Sequence, residues 1–560
     1  MVPRKPPASS SDLSETDPLV AGNLGAFPVV TVAEMRALEA AAMAAGTHER
    51  VLQERAGLAV ADVIEAELAG ADVPPVRPRI VVLVGSGNNG RDAAIAGRRL
   101  ADRGCDVQVW YGSRCPLSET EQRDMRAEQI RFSRYDDRFA GNAGHFLYAA
   151  VETADYVIDG LLGVGSRGPL RPELAAVAKL VQSSRSHSSR RVVAVDVPSG
   201  IDADTGAVPG GVISADVTVT FGAVKAGLLQ FPAAQHVGRL DVRSIGLPAG
   251  SNLALPVHIL DEATVRPLLP VRDLDAHKYR LGRVLVVAGS DQYVGAACLG
   301  SEAAARAGAG LIGVAATEAV KRVLATRLPE AIYPVTLADL DTDPNAAADE
   351  VSGVLPEQAA LLVGPGIGRS DSTVRFLRRL LAANAGLSEP APAVIDADAL
   401  SLLAGWEGWW QQIGLGNILT PHSGEMARLV AADPGFESVD DEAPWETARR
   451  AAVRWQQIVV LKGPFTTVAH PGGRAWVWPH ANAALATAGT GDVLAGLCAG
   501  LLAQQRPPVP VDAARLGVVV HALAARRALD RGQGRTLLAS DLTPEIPGVL
   551  QALSTARVRG

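Results

Sequence analysis

The stretch from Leu485 to Gly496 joins a glycine-rich turn to the start of an apolar helix. Gly489 and Gly491 have no Cβ, so backbone N–H groups can face a ligand there, and the positive end of the helix dipole attracts an anion such as phosphate. Asp492 lies beside this predicted phosphate site, where its carboxylate would be repelled unless it accepts a proton from an attacking hydroxyl. The residue types leave two alternatives for Asp492, a catalytic base or the N-cap of the helix.

A second glycine-rich turn, Gly85 to Gly90, follows the apolar run from Ile80 to Val84, and a helix is predicted from about Asp92 to Arg103. A Gly-x-Gly-x-x-Gly pattern between a strand and a helix is typical of dinucleotide binding. The next strand lacks the acidic residue that such a unit places at its end. Asn88 and Asn89 offer amide oxygens that suit a hard cation or sugar hydroxyls. A turn without a ligand is the alternative.

Three further predicted strands, over residues 156–159, 192–195 and 217–221, end in polar residues. Asp159 closes the first strand, Asp196 and Ser199 follow the second, and Lys225 lies just past the third. The carboxyl ends of parallel strands line one crevice, so we expect the two aspartates, the serine and the two asparagines to converge on one site. Together they suit a cation and a sugar-like ligand, whereas a single aspartate is more often a turn or cap residue.

The composition limits the class of protein. With 560 residues, 48% of them hydrophobic, the chain is too long for one core, and two domains are predicted. A net charge of -7 argues against a nucleic-acid partner, and the absence of a long apolar run argues against a membrane. The four cysteines show no metal-ligand spacing, so we expect reduced thiols and a cytoplasmic location.

Lysine is rare in this chain. Only six of the 53 basic residues are lysine, and the rest are arginine. Lys225, Lys278 and Lys462 fall within motif-like stretches. A compact ammonium group with three donors is not equivalent to a planar guanidinium, so these positions suggest specific partners, with chance as the alternative.

Three segments are predicted along the chain. Residues 1–27, rich in Pro, Ser and Asp, predict a disordered tail. Residues 28–250 predict an α/β domain in which two helices between Thr31 and Ala69 cover a sheet. Residues 251–560 predict a second α/β domain, in which glycine-rich or polar loops repeatedly follow strands. Such loops face a ligand at one edge of a sheet.

The first half, from about Thr31 to Pro248, resembles the NAD(P)H-hydrate epimerase family. The resemblance rests on Gly-Asn-Asn-Gly (87–90), Ile-Asp-Gly-Leu-Leu-Gly (158–163), Val-Asp-Val-Pro-Ser-Gly-Ile-Asp (195–202) and Thr-Phe-Gly-Ala-Val-Lys-Ala-Gly (220–227). It implies a Rossmann-like three-layer sandwich and a potassium ion held by Asn89, Asp159 and Ser199. Asp196 is the implied catalytic residue. The implied contacts to the hydrated nucleotide are Asn88, Asn89, Gly90, Arg91, Asp92, Gly163, Val164, Gly165, Ser166, Arg167, Gly168, Pro169 and Asp196. Arg91 stands where that family usually has glycine.

The second half, from about His277 to Pro547, resembles the ribokinase-like superfamily and, within it, the ADP-dependent NAD(P)H-hydrate dehydratase. The shared motifs are Gly-Thr-Gly-Asp (489–492), Thr-Pro-His-Ser-Gly-Glu (420–425), Val-Gly-Pro-Gly-Ile-Gly (363–368), Asp-Ala-Asp-Ala-Leu (396–400) and Val-Leu-Lys-Gly (460–463). They imply a ribokinase-like α/β/α fold with Asp492 as the base. The implied hydrate contacts are Ala296, Gly366 or Gly368, His422 and Asp492, and the implied nucleotide contacts are Lys462, Gly463, Pro464, Phe465, Thr466 and Gly491. A buried structural role is the alternative for His422.

The two resemblances together imply a bifunctional repair enzyme. One half would interconvert the R and S forms of NAD(P)H hydrate. The other would dehydrate the S form with ADP as co-substrate and Mg2+, releasing AMP and phosphate. A homo-oligomer is also expected. Two alternatives remain open: a ribokinase-like small-molecule kinase fused to a nucleotide-binding module, and a first half that is a non-catalytic scaffold.

Overall fold

The computed structural model describes residues 27–135, 142–185, 190–247, 255–338, 340–437, 439 and 442–555. The chain divides into two compact units between Leu255 and Pro256. The predicted tail, apart from its last residue, and the predicted boundary between residues 250 and 251 lie outside the described ranges. Within those ranges, no helix combines the length and the apolar character needed to cross a membrane.

The first unit alternates strands with helices, as predicted. Its strands are β1 (Val29–Val30), β2 (Arg79–Val84), β3 (Asp106–Tyr111), β4 (Arg131–Arg134), β5 (Tyr156–Gly160), β6 (Arg191–Val195), β7 (Val217–Phe221), β8 (Val224–Lys225) and β9 (Arg239–Arg243). Its helices are α1 (Val32–Ala44), α2 (Glu49–Ala69), α3 (Asn88–Asp102), α4 (Glu119–Ala127), α5 (Asn142–Glu152) and α6 (Pro172–Ser184). A parallel sheet has the order β4-β3-β2-β5-β6-β7-β9, and β1 pairs with β8.

Both faces of this parallel sheet are covered. Ile80 and Val82 on β2 pack with residues of α2 and α3, whereas Val81 and Leu83 pack with residues of α5 and α6. Side chains along a strand alternate between the two faces, so a strand buried on both sides needs a continuous apolar run. The burial pattern confirms the predicted three-layer sandwich.

The strand order reverses between β2 and β5, which places the loops after these strands beside each other. The predicted helix start at Asp92 is wrong by one turn, because α3 begins at Asn88, after Gly87 in an extended conformation. The first turn of a helix leaves its N–H groups free of helical partners, so a glycine followed by two asparagines can open it. Both asparagines therefore lie in the first helical turn, at the switch point of the sheet.

The second unit is also α/β. Its strands are β10 (Val257–Ile259), β11 (Arg283–Val287), β12 (Leu311–Ala316), β13 (Ile332–Thr336), β14 (Ala360–Val363), β15 (Ala393–Ile395), β16 (Ile418–Leu419), β17 (Ile458–Leu461), β18 (Thr467–Ala469) and β19 (Ala475–Val477). Its helices are α7 (Glu262–Val265), α8 (Val294–Ala307), α9 (Glu318–Arg327), α10 (Pro344–Ser352), α11 (Asp371–Ala385), α12 (Asp398–Leu403), α13 (Ser423–Ala431), α14 (Pro444–Trp455), α15 (Thr490–Ala503), α16 (Pro510–Ala528), α17 (Ala539–Leu542) and α18 (Ile546–Thr555). The sheet order is β10-β19-β18-β17-β16-β15-β14-β11-β12-β13, with β18 antiparallel to both neighbours.

Helix α15, which carries Asp492, is held against α8 by close backbone contact. A Cβ at Gly496 would lie 2.1 Å from the carbonyl oxygen of Gly300, and one at Gly500 would lie 2.4 Å from that of Ala304. Such distances exclude any side chain at these two glycines. The small residues of α15 therefore have a packing role, and they fix the position of its N-terminus.

Candidate active sites

A cavity of about 690 Å3 lies at the carboxyl ends of the parallel strands of the first unit. Ten of the predicted residues line it: Asn88, Asn89, Asp92, Gly163, Val164, Gly165, Ser166, Arg167, Pro169 and Asp196. They come from the start of α3, which follows β2, and from the loops after β5 and β6. The structure thus brings together three segments that are far apart in the sequence.

Three predicted contact residues of this unit, Gly90, Arg91 and Gly168, are not among the lining residues. Gly90 packs on the turn after β2, where a Cβ would lie 2.1 Å from the carbonyl oxygen of Gly85. Arg91 forms an ion pair with Glu121 on α4. Gly168 occupies the left-handed region with φ at 75°. These three residues therefore do not line the cavity in this structure.

Helices α1 and α2 add polar lining residues that sequence reasoning missed, including Arg36, Glu39, Glu49 and Gln53. The sequence predicts these helices only as cover for the sheet. Burial raises the pKa of Glu39, and the charges of Asp196 and Glu49 raise it further, while Lys225 and Arg36 lower it. The sequence did hold a signal for Glu39, because this carboxylate lies among the apolar positions of α1.

Asp196 is anchored at the end of β6 through one of its two carboxylate oxygens. Its Oδ1 accepts hydrogen bonds from the Thr220 hydroxyl at 2.9 Å, from the Phe221 N–H at 3.3 Å and from the ammonium of Lys225. Lys225 is fully buried and also donates to the carbonyl oxygens of Phe221 and Ala223. Asp196 has φ at 65°, a costly conformation for a residue with a side chain, and these contacts hold it there. Within the described residues Oδ2 accepts no hydrogen bond, and Asp196 lines the cavity.

Asp159 and Ser199 bond directly to each other, and Asn89 is linked to them through Leu162, whose N–H donates to the Ser199 hydroxyl. Asp159 is fully buried and accepts hydrogen bonds from the Ser199 N–H at 2.8 Å and the Ser199 hydroxyl at 2.7 Å. Burial raises the pKa of Asp159 to about 6, against the lowering effect of its hydrogen bonds. The amide nitrogen of Asn89 donates to the carbonyl oxygens of Leu162 and Val195 at 2.7 and 2.8 Å.

This donor set fits an alkali cation. It holds one carboxylate, and the neighbouring oxygens belong to a hydroxyl, an amide and two backbone carbonyls. The described residues contain no group of three or more His, Cys, Asp or Glu suited to a metal ion. Hard oxygen ligands with a single negative charge suit a monovalent cation better than a divalent or transition metal.

In the second unit, Lys462 follows β17 and lies among carboxylates. Its ammonium is 2.7 Å from Oδ1 of Asp396 and 4.0 Å from Oε2 of Glu425. Burial lowers the pKa of Lys462, but the charges of Asp396, Glu425 and Asp492 outweigh that effect and raise it. A Cβ at Gly491 would lie 3.2 Å from the Lys462 ammonium, so glycine leaves room for this side chain. Asp396, which sequence reasoning named only within a motif, is the main partner of Lys462.

Asp492 occupies the third position of α15, and the N-cap is Gly489 with φ at 89°. Asp492 is therefore not the helix cap, and that alternative is wrong. Burial raises the pKa of Asp492 to about 7, with further increases from Asp396 and other carboxylates and a decrease from Lys462. A carboxyl group with a pKa near 7 can accept and release a proton at physiological pH.

The residues predicted to contact the hydrate in this unit include one close pair. A Cβ at Gly366 would lie 3.0 Å from that of Ala296, so these two residues lie together, and the Gly368 N–H donates to Asp398 Oδ2 at 3.0 Å. His422 caps α13, and its Nδ1 accepts a hydrogen bond from the Gly424 N–H at 3.0 Å. Its side chain is 54% exposed, so the alternative of a buried histidine is wrong.

A smaller cavity of about 50 Å3 lies beside the loop that follows β17. Its lining residues are Gly463, Pro464, Thr466, Trp478, His480, Asn482, Leu485, Leu494, Val518, His521 and Ala522. Three of the predicted nucleotide contacts are among them, while Lys462, Phe465 and Gly491 are not. Burial lowers the pKa of His521 to about 4, so its ring is neutral at physiological pH. Of the lining from β19 to α16, only Leu485 and Leu494 fall within a motif that the sequence analysis identified.

Both units match known protein families. The family described as NAD(P)H-hydrate dehydratase matches residues 284–548, and the family described as YjeF-related protein N-terminus matches residues 49–227. The bifunctional NAD(P)H-hydrate repair enzyme Nnr of Moorella thermoacetica is 36% identical over 542 residues, which cover 94% of this chain and 97% of that protein. The enzyme of the same name from Salinibacter ruber is 34% identical over 544 residues, which cover 93% and 96%.

A solved structure is similar to part of the chain. The ADP/ATP-dependent NAD(P)H-hydrate dehydratase from Bacillus subtilis, co-crystallised with ATP and Mg2+, is 31% identical, with a TM-score of 0.45. The match covers 54% of this chain and 100% of that structure.

The buried Lys225–Asp196 pair predicts a large loss of stability when its cation is removed. Breaking a buried ion pair from one side costs about 3–5 kcal/mol, because it leaves an uncompensated buried charge. We expect Lys225→Met to lower the free energy of unfolding of the first unit by that amount, and the double variant with Asp196→Asn to recover part of it. The measurement is a urea titration followed by 19F NMR of fluorotryptophan. Trp110 is the single tryptophan before residue 256, so its signal reports the unfolding of the first unit.

Lys179→Met is the matched control, because Lys179 lies exposed on α6. Its effect should stay within about 0.5 kcal/mol. If the two lysine variants unfold alike, the buried pair does not stabilise the first unit.

Proposed function

The chain belongs to the family of bifunctional NAD(P)H-hydrate repair enzymes, and from this membership we propose that each unit carries one of the two repair activities. The first unit interconverts the R and S epimers at C6 of the hydrated nicotinamide ring. The second unit dehydrates the S epimer to NAD(P)H, with ADP as co-substrate and release of AMP and phosphate. The observation that supports this division best is the convergence of ten predicted contact residues on one cavity of the first unit.

In the first unit, the proposed site is the cavity at the strand ends. Asn88, Asn89 and the segment from Gly163 to Arg167 supply polar and backbone groups for the nucleotide. Asp196 presents its free Oδ2 to the hydrated ring, since its other oxygen is held by Lys225. This orientation leaves one defined carboxylate oxygen for proton transfer at C6.

In the second unit, the proposed reaction converts a poor leaving group into a good one. Hydroxide leaves C6 with difficulty, whereas phosphate leaves readily. Asp492 accepts the proton of the C6 hydroxyl as this oxygen attacks the terminal phosphorus of ADP. Lys462 and the N–H groups at the start of α15 stabilise the charge on the transferring phosphoryl group. The ring nitrogen then expels phosphate from C6, and loss of the C5 proton restores the dihydropyridine.

The small cavity next to Gly463 and Thr466 is the proposed site for the base of ADP. Trp478 supplies apolar surface for a planar ring, and neutral His521 adds no charge. The Lys462 ammonium lies on the adjacent loop, within reach of the phosphates. This arrangement suits a nucleoside phosphate, and ADP is the one that we propose.

Mg2+ is proposed to accompany ADP. The carboxylates of Asp396 and Glu425 suit this ion, because Mg2+ in phosphoryl transfer is usually held by one or two carboxylates together with phosphate oxygens. Among the described residues, Oδ2 of Asp396 is buried without a hydrogen-bond partner, so it is available as a ligand. When bound, Mg2+ would neutralise part of the phosphate charge.

Potassium is proposed to bind at Asn89, Asp159 and Ser199. The cluster offers oxygen donors with a single negative charge. When bound, the ion would fix the loops after β5 and β6 against the start of α3. A cytoplasmic location and a homo-oligomeric state remain predictions from the sequence.

The relatives named as bifunctional repair enzymes span both units, which disfavours a small-molecule kinase fused to a non-catalytic module. The two functions differ in their products. A repair enzyme releases free phosphate and NAD(P)H, whereas a kinase accumulates a stable phosphorylated product. Mass spectrometry of the reaction mixture with ADP and purified S hydrate separates them.

Epimerisation should depend on potassium. We expect the rate of R to S conversion to fall at least about tenfold when potassium is replaced by tetramethylammonium at equal ionic strength, because this cation is too large for the oxygen cluster. Ser199→Ala, which removes one proposed ligand, should raise the potassium concentration for half-maximal rate. Equal rates in the two salts would contradict the proposed site. The assay is chromatographic separation of the two epimers over time.

Asp492→Asn should abolish dehydration without unfolding the protein. Asparagine keeps the shape but cannot act as the base, and loss of a general base costs about a hundredfold to ten-thousandfold in rate. We expect the variant to bind ADP and to epimerise the hydrate normally. In the wild type, the carboxylate form predominates above the pKa of about 7, so kcat/KM should rise tenfold per pH unit below pH 7 and level off above it.

Asp371→Asn is the control, because Asp371 is an exposed acidic residue in the first turn of α11. It should retain normal turnover and the same pH profile. Near-normal turnover in Asp492→Asn would show that the base lies elsewhere.

A further inference from the structure

Of the carboxyl groups that line the cavity of the first unit, Asp92 and Asp196 have opposite electrostatic surroundings. Asp196 is paired with the buried ammonium of Lys225 and also accepts a hydrogen bond from Thr220. Asp92 lies in α3, is 8% exposed and lines the same cavity. Its Oδ1 is buried, and no donor within the described residues reaches it. Lys225 thus gives Asp196 a buried counter-ion, whereas the buried Oδ1 of Asp92 has no donor within the described residues.

The charges around Asp92 favour its protonated form. Burial is the largest cause that raises its pKa, well above the ordinary value, and the carboxylates of Asp196, Glu39 and Glu49 raise it further. Arg91 is the cation that lowers it, and its guanidinium is already engaged in an ion pair on α4. Two carboxyl groups with such different environments are the usual arrangement for an acid and a base in one site.

We propose that Asp92 is the general acid and Asp196 the general base of epimerisation at C6. The proposal rests on the proposed function of this cavity and adds the residue that completes its proton transfers. It also gives a reason for an unpartnered carboxyl group in a cavity wall, where burial without a partner costs free energy.

The chemistry of the substrate calls for such a pair. C6 of the hydrate carries a hydroxyl and is bonded to the ring nitrogen N1. Asp196 removes the hydroxyl proton, the C6–O bond becomes a carbonyl, and the C6–N1 bond breaks with its electron pair moving to N1. Asp92 delivers its proton to N1, so the product of the step is an open-chain aldehyde with an N–H group.

Closure of the ring on the other face of the aldehyde inverts the configuration at C6. Rotation about the C5–C6 bond presents the other face of the aldehyde to N1. N1 attacks C6, the proton on N1 returns to Asp92, and the proton on Asp196 returns to the new alkoxide. Both carboxyl groups end in their initial states, and no oxidant or reductant is consumed.

Breaking the C6–O bond instead would make the first unit a competitor of the second. That route forms a conjugated iminium ion, and loss of its C5 proton gives NAD(P)H directly. Phosphorylation in the second unit would then be unnecessary. Ring opening avoids this intermediate.

The test compares three variants in the full chain. Asp92→Asn should reduce R to S conversion by about a hundredfold or more, since its amide cannot transfer a proton. Asp102→Asn, at the exposed end of the same helix, should retain it. Dehydration of purified S hydrate should persist in both variants, which verifies the second unit, and urea titration with fluorotryptophan at Trp110 verifies that the first unit is folded. Normal epimerisation by Asp92→Asn would overturn the proposal.

Asp196→Asn separates this proposal from the proposed function. If Asp196→Asn loses epimerisation and Asp92→Asn retains it, the cavity is the epimerase site but the acid is another group. If both variants retain epimerisation, the cavity assignment itself fails.

Two measurements on the wild type do not depend on folding of a variant. The epimerisation rate should fall at high pH, as Asp92 loses its proton, and Asp92→Glu should keep a falling limb at a shifted position. In water enriched in oxygen-18, the S product should keep its original oxygen, because ring opening leaves the C6–O bond intact. Stoichiometric oxygen-18 incorporation, or a rate that stays constant at high pH, would overturn the proposal.

Discussion

An ion pair between a lysine and a strand-end aspartate is the interaction on which both sites depend. Lys225 holds Asp196 in the first unit, and Lys462 holds Asp396 in the second. Removing a charge from water costs several kcal/mol, and only a close partner with further hydrogen bonds offsets that cost. The two pairs therefore fix the carboxylates at the strand ends.

Each pair leaves a second carboxyl group nearby without a cation of its own. Asp92 in the first unit and Asp492 in the second have raised pKa values, with burial as the largest cause and a strand-end aspartate as the next. The same physical arrangement supports different chemistry. Asp492 has a pKa of about 7 and suits a base, whereas Asp92 has no bonded donor at its buried oxygen and suits an acid.

The scarcity of lysine indicated two of these positions. In a chain that uses arginine almost everywhere, Lys225 is fully buried, Lys462 is 18% exposed, and both are paired with an aspartate, whereas Lys278 lies over the ring of Tyr279 at 5.0 Å. A planar guanidinium needs more space than a compact ammonium. Gly491, whose Cβ would approach the Lys462 ammonium at 3.2 Å, shows how little space there is.

The sequence by itself determined the α/β class, the strand ends that carry Asp159 and Asp196, and the glycine turn before Asp492, because strand periodicity and turn residues are local signals. Only the tertiary structure decided the rest. It started α3 at Asn88 and placed Gly489 at the cap of α15. It also brought Arg36 and Glu39 of α1 into the cavity and joined Lys462 to Asp396, 66 residues away. These contacts depend on how distant segments pack, and that packing leaves no pattern in either segment alone.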